Sequence, residues 1–183
     1  MDEKIIIAGF GGQGVMAIGK LLAYAGMIER KNVSWLPSYG PEMRGGTANC
    51  HVIVSNEMIG SPVISQDATA AIIMNLPSLR KFENELVQEG KLIINKSLID
   101  QETFRQDVDA YYIPANEIAD ELGNSKVSNM ILLGVYLELT KVVSIESALE
   151  AFLKVFGEDK QNLLALNRIA LLKGGEIVKA KSV

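Results

Sequence analysis

Gly9-Phe10-Gly11-Gly12-Gln13-Gly14 is the segment whose residue types and spacing are best suited to chemistry. It follows the aliphatic run at 4–10 and precedes a stretch with Val15, Ile18, Leu22 and Ala25 at helical spacing. Glycines there allow a tight turn and close backbone approach, and the helix behind the turn offers unpaired N–H groups to an anion. Gly9, Gly11 and Gly14 fit the G-x-G-x-x-G pattern of dinucleotide sites. Two tests count against that chemistry. An NAD site usually carries a carboxylate at the end of the second strand to hold the ribose. Ser34-Trp35-Leu36-Pro37-Ser38 has none before Glu42. Gly9 to Gly14 also has G-x-x-x-x-G spacing, but Val15 and Met16 stand where a phosphate loop needs Lys and Ser or Thr, which argues against an ATPase. Two readings stay open: a stand-alone nicotinamide- or flavin-dependent oxidoreductase, or a strand–helix turn packed against a partner or a ligand held by another chain.

A second motif, Ser38-Tyr39-Gly40-Pro41-Glu42-Met43-Arg44-Gly45-Gly46, is too rich in Gly and Pro to be regular and reads as a presenting loop. Tyr39, Glu42 and Arg44 could reach an acidic ligand or a partner subunit, or Arg44 could simply pair with Glu42 in solvent. Cys50 and His51 are adjacent on an expected strand, so their side chains point to opposite faces and cannot form a nucleophilic pair. Both read as structural residues, Cys50 as a small buried hydrophobe. No His, Cys and carboxylate cluster has metal-ligand spacing.

The elements that must position these motifs follow from apolar periodicity. Strands are expected at 4–10, 33–36, 47–55, 70–74, 91–95 and 110–114, with a turn at Asn56-Glu57 and Gly60 leading into another short extended piece. Helices are expected at 15–28, from Pro77 to about Val87 with Gly90 as its stop, and at 116–122, 127–139, 145–156 and 160–173. Gly123, Gly157 and Gly174 punctuate the last group. Strands alternating with helices, then a helical last third, predict one α/β domain over 1–183 with a mostly parallel, Rossmann-like sheet flanked by helices.

Composition narrows the function classes. The chain has 183 residues, 48% of them hydrophobic and 22% charged, which excludes disorder and a disulfide-stapled miniprotein. A net charge of −4 argues against nucleic acid or an anionic membrane as the main partner. The longest uncharged window, 5–19, contains five glycines and falls short of the about 20 apolar residues a membrane helix needs. Met-Asp-Glu-Lys lacks the basic start of a signal peptide, and a single Cys fits a reducing, cytoplasmic setting. One Cys cannot hold an iron–sulfur cluster alone.

Gly-Phe-Gly-Gly-Gln-Gly-Val at 9–15 together with the 38–46 motif resembles the gamma subunit of 2-oxoacid:ferredoxin oxidoreductases. Gly123-Asn124, Asn129-Met130-Ile131-Leu132-Leu133-Gly134, and Asn167 before Gly174 are similar to that family's later pattern, so the likeness spans essentially the whole chain. The resemblance implies a complex that converts a 2-oxoacid, coenzyme A and oxidised ferredoxin into acyl-CoA, CO2 and reduced ferredoxin. It implies no catalytic residue and no cofactor in this chain, with thiamine diphosphate, Mg2+ and [4Fe-4S] clusters carried by partner subunits. It also implies alpha and beta subunits and a ferredoxin-like delta subunit as partners, a gamma domain that helps form the coenzyme A channel, and a homodimer as one form of the isolated chain. Carried over by residue, Gly9, Gly11, Gly12, Gln13 and Gly14, and Ser38, Tyr39, Gly40, Pro41, Glu42, Arg44, Gly45 and Gly46, lie at the partner or coenzyme face. Met43 replaces a second basic residue of pyruvate-type members. With Thr47-Ala48-Asn49-Cys50-His51 it is closer to the 2-oxoglutarate or branched-chain type.

Overall fold

A computed structural model describes residues 2–38 and 47–181. Tyr39, Gly40, Pro41, Glu42, Met43, Arg44, Gly45 and Gly46 lie outside the described residues. The chain forms β1 (Glu3–Phe10), α1 (Val15–Ile28), β2 (Asn32–Ser38), β3 (Thr47–Ser55), β4 (Ala68–Ile73), α2 (Leu76–Phe82), β5 (Leu86–Asn95), β6 (Asp109–Ile113), α3 (Ala115–Glu121), α4 (Ser128–Thr140), α5 (Ile145–Phe156) and α6 (Leu164–Lys181). The strands make one sheet in the order β2-β3-β1-β4-β5-β6. β1, β4, β5 and β6 are parallel, and β3 alone is reversed, pairing antiparallel with both β1 and β2. This is the α/β, mostly parallel architecture the sequence predicts.

The aliphatic run of β1 is explained by its place. It is a central strand covered on both faces, so no residue from Ile5 to Ala8 touches solvent. Ile5 and Ile7 pack into a core shared with α1, α3, α4, α5 and α6. Ile6 and Ala8 face the other way, into a smaller core closed by Leu79 and Phe82 of α2 and by Ile64 and Ile99 from loops. The helical last third therefore loads one face of the sheet heavily. Helix α4 is apolar nearly all round because it is sandwiched between the sheet and α6, with Met130 to Leu137 all buried.

Three expectations need correction. Residues 56–67 contain no strand. They are held by side-chain bonds instead, including Ser55 Oγ accepting from Glu57 N (2.8 Å) and Asp67 Oδ1 accepting from Ser65 N (2.9 Å). The helix expected to reach Val87 stops at Phe82, passes through a 3-10 turn at Glu83–Glu85 and becomes β5, so Gly90 lies inside a strand and stops nothing. Glu83 is 2% exposed and drawn inward by Thr103 and Phe104, which ends the helix in favour of a loop clamp. Gly174 lies within α6 rather than at its end. Gly123 and Gly157 do end their segments, with φ of 79° and 98°.

Candidate functional site

The site is built where β1 runs out. Phe10 ends the strand, Gln13 N donates to Phe10 O (3.3 Å), and Gly14 forms the N-cap of α1 at φ 80°, ψ 17°. Gln13 folds back under this turn. Its Oε1 accepts from Phe10 N (2.5 Å) and its Nε2 donates to Met74 O (3.1 Å), tying the turn to the end of β4. Gly9 makes room for that amide, since a Cβ there would stand 2.5 Å from Gln13 Oε1 and 2.9 Å from Met74 Cβ. At Gly14 a side chain would meet Asn129 in the first turn of α4, in a left-handed conformation that already disfavours one. Among the described residues nothing lies within 4 Å of a Cβ built on Gly11 or Gly12.

Other strand ends converge on the same edge. Asn75, buried after β4, caps α2 by accepting from Ser78 N (2.9 Å). Asn95 ends β5 and donates through Nδ2 to Asn116 Oδ1 (3.0 Å) at the start of α3. The 3-10 turn Ser125–Val127, capped by Asn124 Oδ1 accepting from Lys126 N (3.0 Å), brings Lys126 alongside. Together these elements enclose a cavity of about 550 Å³ bordered by residues that include Gly12, Gln13, Gly14, Asn95, Lys126 and Asn129. Its described walls carry amides, the hydroxyl residues Ser125 and Ser128, backbone and one ammonium, and no carboxylate. Such a pocket, outside the carboxyl ends of parallel strands, suits a polar or anionic ligand by hydrogen bonding. Among the described residues no hydrogen bond joins Ser125 or Ser128 to the Lys126 ammonium as a nucleophile and base would need.

The register also relates the two motifs. Phe10 lies opposite Thr47 and Ser38 opposite Asn49. Ser38 and Thr47 thus stand at the edge that carries the glycine turn. Ser38 itself is the exposed last residue of β2. The sequence assigned no role to Asn95, Asn116 or Lys126, and singled out Asn124 and Asn129 only as part of a pattern. The one local signal for the missed asparagines is their position at strand ends or helix starts.

Cys50 and His51 take opposite faces, as their spacing requires. Cys50 is buried against α1, and burial pushes its thiol up to about 12, so it stays protonated and inert. His51 is half-buried, and desolvation holds its imidazole below the usual value; its Nδ1 accepts from Ile64 N (3.3 Å) in the 56–67 loop. Among the described residues no three His, Cys, Asp or Glu side chains are grouped to hold a metal ion. The donors present among the described residues fit neither an iron–sulfur cluster nor the Mg2+ of thiamine diphosphate. Among the described residues no helix is long and apolar enough to cross a membrane.

Comparison with known proteins adds a family to this geometry. The family model for pyruvate ferredoxin/flavodoxin oxidoreductase matches residues 4–177. The ketoisovalerate oxidoreductase subunit VorA of Methanothermobacter marburgensis is 34% identical over 174 residues, covering 95% of this chain and 36% of VorA. The chain therefore spans about a third of that relative's length. The gamma subunit of a keto/oxoacid ferredoxin oxidoreductase from Geobacter sulfurreducens superposes with a TM-score of 0.81 at 28% identity, over 97% of this chain and 99% of that one. The 2-oxoglutarate:ferredoxin oxidoreductase of Magnetococcus marinus, solved with 2-oxoglutarate, coenzyme A and succinyl-CoA bound, superposes with a TM-score of 0.86 at 25% identity, over 98% of this chain and 31% of that one. With the match running through nearly every element described above, the chain belongs to the pyruvate ferredoxin/flavodoxin oxidoreductase family, as a domain of the gamma-subunit type.

Proposed function

We propose that residues 1–183 act as one gamma-type domain of a multi-subunit 2-oxoacid:ferredoxin oxidoreductase. In this proposal the complex converts a 2-oxoacid, coenzyme A and oxidised ferredoxin into acyl-CoA, CO2 and reduced ferredoxin in the cytoplasm. Thiamine diphosphate, Mg2+ and [4Fe-4S] clusters belong to alpha, beta and ferredoxin-like delta partners, and this chain supplies a wall of the coenzyme A channel. The observation that carries the proposal is the carboxyl edge of the sheet. There the glycine turn borders a cavity lined by amides, hydroxyls and Lys126, and Ser38 and Thr47, which flank the second motif, stand at the same edge of the sheet. Gly9, Gly11, Gly12, Gln13 and Gly14, with Ser38, Tyr39, Glu42, Arg44, Gly45 and Gly46, form the partner and coenzyme face in this scheme. The coenzyme A complex of the Magnetococcus marinus relative supports the choice of co-substrate.

Reconstitution tests it. The isolated chain should reduce no viologen dye with 2-oxoglutarate, ketoisovalerate or pyruvate and coenzyme A. Thiamine-carrying subunits should gain coenzyme A-dependent dye reduction when this chain is added. Full activity without it, or dye reduction by the chain alone, contradicts the proposal.

A further inference from the structure

Gln13 sits in the middle of the glycine turn, where a side chain reaching outward would contact a ligand. Gln13 is half-buried and lines the cavity, yet its amide is turned back onto the fold. Each end of its amide has a partner inside the fold, Phe10 N for Oε1 (2.5 Å) and Met74 O for Nε2 (3.1 Å). Met74 is in turn bonded to β1 through its N–H, which donates to Ala8 O (2.9 Å). The amide therefore joins the turn after β1 to the last residue of β1 and to the residue that follows β4, its parallel neighbour. Gly9 belongs to the same device, because its missing Cβ is the space that the Gln13 amide and the Met74 side chain fill. Gly11 and Gly12 have no such packing demand among the described residues.

We infer that Gln13, which lines the carboxyl-edge cavity together with Gly12 and Gly14, is a positioning residue: its side chain locks the 10–14 turn to the end of β4 and thereby fixes the Gly12–Gly14 peptides at the cavity. The inference rests on the reading of that cavity as the coenzyme A face. A turn carrying glycines at 9, 11, 12 and 14 has large conformational freedom, and peptide N–H groups bind an anion well only when held in place. Gln13 restricts that freedom through its two hydrogen bonds within the fold.

Two variants separate this role from a direct contact. Gln13→Glu keeps the shape and the acceptor for Phe10 N but loses the donor to Met74 O. Gln13→Met keeps the reach and loses both bonds. In the isolated chain, amide hydrogen exchange across 10–14 should quicken in the order wild type, Glu variant, Met variant, by about tenfold at Phe10 in the Met variant, as expected for loss of one protecting bond. In the reconstituted complex the KM for coenzyme A should rise in the same order, with kcat at saturating coenzyme A changed less than about twofold, the signature of lost uniform binding. A raised KM with unchanged exchange makes Gln13 a ligand contact and overturns the inference. Faster exchange with an unchanged KM leaves the lock in place and overturns the assignment of coenzyme A to this edge.

Discussion

Gly174→Val is expected to melt about 6–12 °C below the wild-type chain, the shift that about 3 kcal/mol of overpacking produces in a protein of this size. The reason is a crossing of two helices with no room for a methyl group. A Cβ on Gly174 would press on the Ile131 carbonyl of α4 and stand 2.8 Å from Val135 N. The contact is reciprocal, for a Cβ on Gly134 of α4 would press on the Leu171 carbonyl of α6 and lie 2.8 Å from its C and Cα atoms. The obstructing atoms are helix backbone and cannot swing away, so the helices must part and open the core around Ile131 and Leu171, both fully buried. The neighbouring position is the control. At Gly175 the nearest atom is the flexible end of Glu138 at 3.3 Å, so Gly175→Ala should be neutral or slightly stabilising through its better helix propensity. Scanning calorimetry of the three chains checks the pair, and a Gly174→Val melting point within 2 °C of wild type would show that α4 and α6 do not meet there.

Glu83→Gln should also destabilise the chain at neutral pH, by about 2 kcal/mol, the range for hydrogen bonds to a charged group. The Glu83 carboxylate accepts from Thr103 Oγ1 (2.6 Å), Phe104 N (3.0 Å) and Arg80 Nη1 (3.2 Å), and so ties the 96–108 loop to the end of α2. Arg80 keeps bonds to Gln101 Oε1 and Glu102 O without it, which limits the loss. Burial works to raise the carboxyl's pKa, but the bonds from Thr103, Phe104 and Arg80 outweigh it and hold the value below the ordinary range. A folded value below the unfolded one means stability present above the ordinary value of about 4.3 and lost as pH falls through the folded value. The gap between wild type and Glu83→Gln should therefore be full at pH 7 and shrink below about pH 4. Urea denaturation across that range measures it, and a gap constant from pH 7 to pH 3 would mean that the charge on Glu83 contributes nothing.

These two positions also show where sequence reasoning succeeds and where it stops. The central strand, α1 and the glycine turn are legible because their causes are local: an aliphatic run, a helical repeat and glycines between them. Gly174 defeats the same logic. A glycine at the end of an apolar helical stretch reads as a stop, as Gly123 and Gly157 are, and only the path of α4 over α6 gives it another purpose. Glu83 shortens the expected helix through partners twenty residues further along, which no window on the sequence contains. The cavity residues Asn95, Asn116 and Lys126 come from three separate segments and share no motif, so the sheet order alone brings them to Gly12 and Gly14.

Hydrogen exchange on the chain alone, in the assembled complex, and in the complex with coenzyme A tests the function of the carboxyl edge most directly. Assembly and coenzyme A should slow exchange at 10–14, 74–76, 95–98 and 124–129, the segments around the cavity. Protection confined to the β2 edge or to the outer faces of α5 and α6, with those four segments unchanged, would place the partner and the coenzyme elsewhere and contradict the proposed role.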